Sequence, residues 1–99
     1  MSCGKSGPIL VTDGEYEVTG DLTPDATGTY EDAGEHYGER YYQRTPNGYF
    51  LWWNGLDTWY ISTELDIPGA AWWQRIDPNI EGIYAPGGTA VGDATVAEI

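Results

Sequence analysis

Cysteine, methionine, histidine and phenylalanine each occur once in these 99 residues, and Lys and Arg together number only 4. A lone Cys3 excludes an internal disulfide, and no second ligand stands near it to build a metal knuckle. Against those few cations stand 16 Asp and Glu, giving a formal charge of -12. A field of that sign repels phosphate backbones and anionic lipid, so nucleic acid and bare membrane are excluded as partners. No apolar run approaches the length of a spanning helix. The opening MSCGKSGPILV carries one Lys and only the short run PILV, far less than a secretory h-region needs, which predicts a chain made and kept, or assembled, in the cytosol.

Motifs for chemistry are scarce as well. No zinc spacing, EF-hand loop or phosphate loop is present, and the Gly-rich stretches GDLTPDATG and APGGTAVGD contain or adjoin acids that would oppose phosphate. No cofactor is expected. Calcium on Asp13, Glu15, Asp21 or Asp25 is a weaker reading than solvated surface charge. The single imidazole, His36, lies between Glu35 and Tyr37 with no Ser or Cys elbow beside it, which predicts a solvated loop histidine and no catalytic residue. A carboxylate pair for glycoside hydrolysis would need a deep groove, and a chain this short offers little depth.

What is abundant is aromatic and turn-forming. Eight Tyr and five Trp accompany 14 Gly and 6 Pro, and hydrophobic residues make up 40% of the chain, too many for a disordered acidic tail. Period-2 stretches bounded by Gly, Pro, Asn and Asp predict strands at 8–12, 15–19, 28–33, 39–44, 49–53, 58–63, 70–74, 82–85 and 90–97. The only room for a helical turn is 63–66. The fold class is therefore all-β, a small antiparallel sandwich or barrel of about eight or nine short strands with an extended N-terminal arm. Asn47-Gly48 and Asn54-Gly55 lie between aromatic runs, so residues 39–63 are expected to form a three-stranded meander with type I′ turns.

An echo runs through the chain at constant offset. Pro24/Pro78, Gly28/Gly82, Tyr30/Tyr84, Gly34/Gly88 and Gly38/Gly92 are identical pairs, and the core Gly-x-Tyr-x-x-x-Gly also occurs at Gly14, Tyr16 and Gly20. Its spacing is too irregular for a solenoid. Each Gly-x-Tyr is expected to open a strand whose ring covers a sheet end, and the later Gly to turn the chain where a side chain would collide.

The adjacent pairs Trp52-Trp53, Trp59-Tyr60 and Trp72-Trp73 put aromatic rings on both faces of their strands, because neighbours on a strand point opposite ways. The second face needs a cover, which this chain, a sugar or another protein could supply. Trp52, Trp53, Trp59, Trp72 and Trp73 form the set from which binding residues would be drawn. Ile9 and Val11, in the run Pro8-Ile9-Leu10-Val11-Thr12, would suit a strand laid on the sheet edge of an adjacent subunit. On these grounds residues 1–27 read as an N-terminal arm with the first strands, and 28–99 as a Trp/Tyr-rich β module, within one compact domain.

From Gly28 to Val96, the series GTY, ERYY, LWWNG, TWYIS, AWW, GIYAP and GDATV resembles a small Trp/Tyr-rich β module of tailed-phage virion proteins and large extracellular proteins. The resemblance implies no chemistry and no active-site residues. It implies a non-enzymatic structural protein of a virion, a phage capsid decoration or accessory protein assembled in the host cytoplasm. Such a protein would contact a major capsid or other virion protein and form a homo-oligomer. A carbohydrate-binding module with stacked Trp or Tyr rings is the alternative, and a small acidic decoy for a basic site ranks last because the acids are interrupted by aromatics.

Overall fold

The computed structural model describes residues 15–45 and 48–99. Eight strands follow one another: β1 (Glu15–Thr19), β2 (Gly28–His36), β3 (Glu39–Thr45), β4 (Phe50–Trp53), β5 (Trp59–Ser62), β6 (Ala71–Arg75), β7 (Gly82–Gly88) and β8 (Ala94–Glu98). Each pairs antiparallel with the next, and β1 pairs with β8 to close a barrel. Of the two architectures expected, the barrel is the one formed. No helix occurs among the described residues. The strand expected at 8–12, with Ile9 and Val11, lies outside them.

Local differences have local causes. The Asn54-Gly55 step is not a two-residue turn, since Trp53 pairs with Trp59 and leaves residues 54–58 as a loop. The Asn54 carboxamide accepts the N–H groups of Leu56, Asp57 and Thr58 at 2.9, 2.9 and 3.1 Å, and that gathering of donors stabilises the longer loop. At 63–66 there is no helical turn; Glu64 and Ile67 form an isolated bridge, with Asp66 at a φ of 74°. The last strand begins at Ala94 instead of residue 90, because Val91 is bridged to Thr23 and Gly92 turns at a φ of 92°.

Eight strands enclose an interior that side chains can fill. Here the filling is aromatic: Tyr30, Trp73 and Tyr84 are fully enclosed with Leu51 and Ile61, beside Val18, Tyr42, Tyr49, Trp59 and Val96. Small Ala94 leaves room for the larger rings.

The sequence echo becomes a matched pair of corners. Tyr30 and Tyr84 each donate their hydroxyl to the carbonyl four residues upstream, of Ala26 and Ile80, at 2.6 Å. Asp25 and Asn79 each accept, through side-chain oxygen, the N–H two residues on, and each gives its backbone carbonyl to an arginine, Arg44 and Arg75. Gly28 and Gly82 stand at φ of 139° and 141°, where a Cβ would press on those same arginines. Arg44 comes from β3, the strand after β2, whereas Arg75 comes from β6, the strand before β7. The order β1-β2-β3 is thus answered by β8-β7-β6, so the echo is one local solution used twice and not a tandem duplication.

Burial pushes the phenols of Tyr30 and Tyr84 well above the usual tyrosine range. The folded state keeps those protons while the unfolded chain releases them near pH 10, so stability is full below that pH and falls as pH rises. Each buried phenol is expected to remove about 1.4 kcal/mol per pH unit above roughly pH 10. Urea melts at pH 8 and pH 11.5 check this. The double variant Tyr30→Phe with Tyr84→Phe should start about 2 kcal/mol less stable, from two lost hydrogen bonds, yet lose stability more gently with pH; an unchanged slope would show that these phenols are not the titrating groups.

Candidate functional site

The tryptophans separate by strand register. Leu51 and Ile61 face inward opposite one another, and so do their alternates Trp53 and Trp59. Trp59 is buried and donates Nε1–H to the Pro78 carbonyl at 3.0 Å; Trp73 is fully buried and donates to Gly92 O at 2.8 Å. Trp53 is half-buried against the same core, its ring 5.5 Å from that of Trp59. These three are structural members of the barrel interior, not an outward platform.

Trp52 points outward and is nevertheless buried, since the chain supplies its own cover. A β-bulge between Asp32 and Gly34 bends β2, and the tip of the β2–β3 hairpin comes over the outer face of β4. The His36 ring meets Trp52 edge-on at 6.1 Å, Tyr60 stacks on Trp52 at 4.7 Å, and Trp52 Nε1–H donates to the Ser62 hydroxyl at 2.9 Å. That hydroxyl lies 2.7 Å from the Glu64 carbonyl and 2.9 Å from that of Ile67, so its proton fastens the 64–67 loop to the same cluster. His36, expected to be solvated, is instead held among rings with Nε2 at 3.4 Å from Asp66 Oδ1. The second aromatic face at β4 is therefore covered from within the chain, because a bent hairpin could reach it.

Trp72 alone of the five stays outward without such a cover. Its ring lies across Gly87, where any Cβ would come within 2.3 Å, and its Nε1–H is taken by Gln74 Oε1 at 2.9 Å. Along β6 the outward series continues through Gln74 to Ile76, and along the facing β7 it runs Ile83, Ala85, Gly87. Ile76 is 68% exposed and Ile83 61%. Together with Arg75, Asp77 and Asp93 they line a shallow cleft of about 340 Å³. Arg75 is anchored by Asn79 O at 3.0 Å and approaches Asp77 at 3.8 Å, so the wall offers apolar contact, one positioned cation and two carboxylates.

Such a wall can bind; its groups include no nucleophile beside a base. Among the described residues no three His, Cys, Asp or Glu converge to hold a metal ion. Ile76 escaped the sequence reading because it stands alone between Arg75 and Asp77, and Ile83 because it sits beside the larger Tyr84. The inward Tyr84 was the available signal, since it places Ile83 outward by alternation. No family model, curated protein or solved structure matches this chain.

Proposed function

We propose that this protein is a non-enzymatic structural subunit of a virion, a phage capsid decoration or accessory protein that docks through the outer wall of β6 and β7. The observation that carries the docking is the pair Ile76 and Ile83, exposed on the same outer wall as Trp72, on a barrel whose interior is already filled by its own side chains. Burying that strip against a protein surface recovers hydrophobic free energy of about 25 cal/mol per Å², while the carboxylates at its margin stay in the wet rim. The virion setting rests on the sequence resemblance, and the strong negative charge keeps the free subunit soluble. Each strand of the closed ring already has two neighbours and offers no free edge, so strand addition in this proposal is made by the run holding Ile9 and Val11 onto a capsid or other virion protein.

The experiment is co-sedimentation of the full chain with purified virions of its source, beside thermal melts. Ile83→Asp is expected to weaken particle binding at least tenfold, by placing a charge in the apolar contact, with little change in melting because the side chain is already exposed. Particle binding that is absent from the start, or unaffected by Ile83→Asp, overturns the proposal. Trp72, a half-buried outward ring with an amide at its edge, is the one group here suited to sugar stacking. Tight binding of the monomer on a glycan array, lost in Trp72→Ala, would assign the wall to carbohydrate instead.

A further inference from the structure

The folded-over hairpin creates a second surface beyond Tyr60. Where the tip crosses β4, Tyr37 lies against Gly55, so close that a Cβ there would meet the ring at 2.9 Å. Tyr37 is still 57% exposed, and Leu56, which follows Gly55 in the loop that Asn54 holds, is 78% exposed. Ile67 adds a third outward apolar side chain from the loop that Asp66 ties to His36. Tyr37 and Asp66 are the described non-glycine residues with positive φ, at 54° and 74°. Backbone held in that region costs free energy, and here both cases serve the same three-loop surface.

The border of this patch is predominantly acidic. Glu35, Glu39, Asp57, Glu64 and Asp66 are exposed around it. The nearby cation is already committed: Arg40 donates Nε–H to Asp32 at 2.9 Å and Nη2–H at 2.8 Å, a two-pronged pair on the same hairpin. Apolar anchors bordered by exposed carboxylates complement a surface in which apolar side chains alternate with Lys or Arg.

We propose that the patch formed by Tyr37, Leu56 and Ile67 docks a basic, amphipathic segment of a protein partner, its apolar residues seated on the three anchors and its cations on the surrounding carboxylates. The surface is independent of whether the β6–β7 wall engages a particle, since none of its anchors lies on those strands.

The probe is a synthetic peptide in which Lys and Arg alternate with Leu, titrated into the full chain labelled with 15N, beside a peptide of equal charge in which Gly replaces Leu. The Leu-containing peptide is expected to shift the amides of residues 36–39, 54–58 and 64–67, and to bind at least tenfold more tightly than its Gly counterpart. Leu56→Ser, at a position exposed enough to leave folding intact, should weaken it severalfold. Tyr37→Asn, which tolerates positive φ, should add to that loss; Ile83→Asp should leave it unchanged. Shifts spread over Glu15 and Glu17 of β1, equal binding of the two peptides, or indifference to Leu56→Ser with Tyr37→Asn would show that net charge alone attracts the peptide, and would overturn the proposal.

Discussion

Replacing Trp73 by alanine is expected to cost about 4 kcal/mol, most of the stability of a domain of this size. The indole is wholly enclosed, its Nε1–H is satisfied by Gly92 O at 2.8 Å, and its ring meets that of Tyr49 edge-on at 6.3 Å. Alanine would leave a void that the closed ring of strands cannot collapse to fill, and would take the indole donor from the part-buried Gly92 carbonyl. Trp72, its neighbour in sequence, faces outward and is only half-buried, so Trp72→Ala should cost about 1 kcal/mol. Urea denaturation followed by far-UV circular dichroism gives both values from one experiment. Equal losses in the two variants would contradict the register that places one ring inside and the other out.

A second large effect is expected from a single methyl group at Gly92. This residue turns at a φ of 92°, and a Cβ would lie 2.2 Å from the Asp21 carbonyl oxygen, a backbone atom with little freedom to retreat. The approach is reciprocal: a Cβ on Gly20, at φ 135°, would lie 2.5 Å from the carbonyl oxygen of Asp93. The two segments cross here and are fastened by a pair of hydrogen bonds, Thr23 N–H to Val91 O at 3.0 Å and Val91 N–H to Thr23 O at 2.9 Å. Gly92→Ala should therefore cost about 3 kcal/mol or more, combining an unfavourable φ with a collision that must separate the crossing. Gly38→Ala isolates the first contribution, since Gly38 has a φ of 81° and open space around it; about 1 kcal/mol is expected there. Thermal or urea melts of the two variants compare them directly, and a Gly92→Ala loss no greater than that of Gly38→Ala would mean the segments do not cross so closely.

The turn expected at the later glycine of the echo, where a side chain would collide, is met at Gly20 and Gly88 but not at Gly34, which lies within β2 and would bring a Cβ only against the Tyr41 ring at 3.1 Å. Gly20, Gly88 and Gly92 all meet backbone carbonyls within 2.5 Å of a would-be Cβ. The Gly-x-Tyr core was legible for the same reason: it is a local arrangement, complete within a few residues and one neighbouring strand. Its third copy, beginning at Gly14, falls partly outside the described residues, and its Tyr16 packs edge-on against Tyr42 at 4.9 Å.

The sequence by itself determined the all-β class, the succession of strands and the antiparallel meander through β3, β4 and β5, because hairpin partners are close in the chain and turn chemistry acts over a few residues. Tertiary structure alone decided between sandwich and barrel. Closure depends on β1 finding β8, as in Val18 opposite Val96, a pairing between distant segments that no local pattern records. It also decided the fate of each tryptophan. Alternation guarantees that Trp72 and Trp73 point opposite ways, but with both neighbours apolar the pattern carries no sign, and only the packed ring fixes which one is core. The covering of Trp52 was hidden for a related reason: it required a bulge at Asp32 and Gly34 to bend a hairpin onto a face that, read strand by strand, stood open.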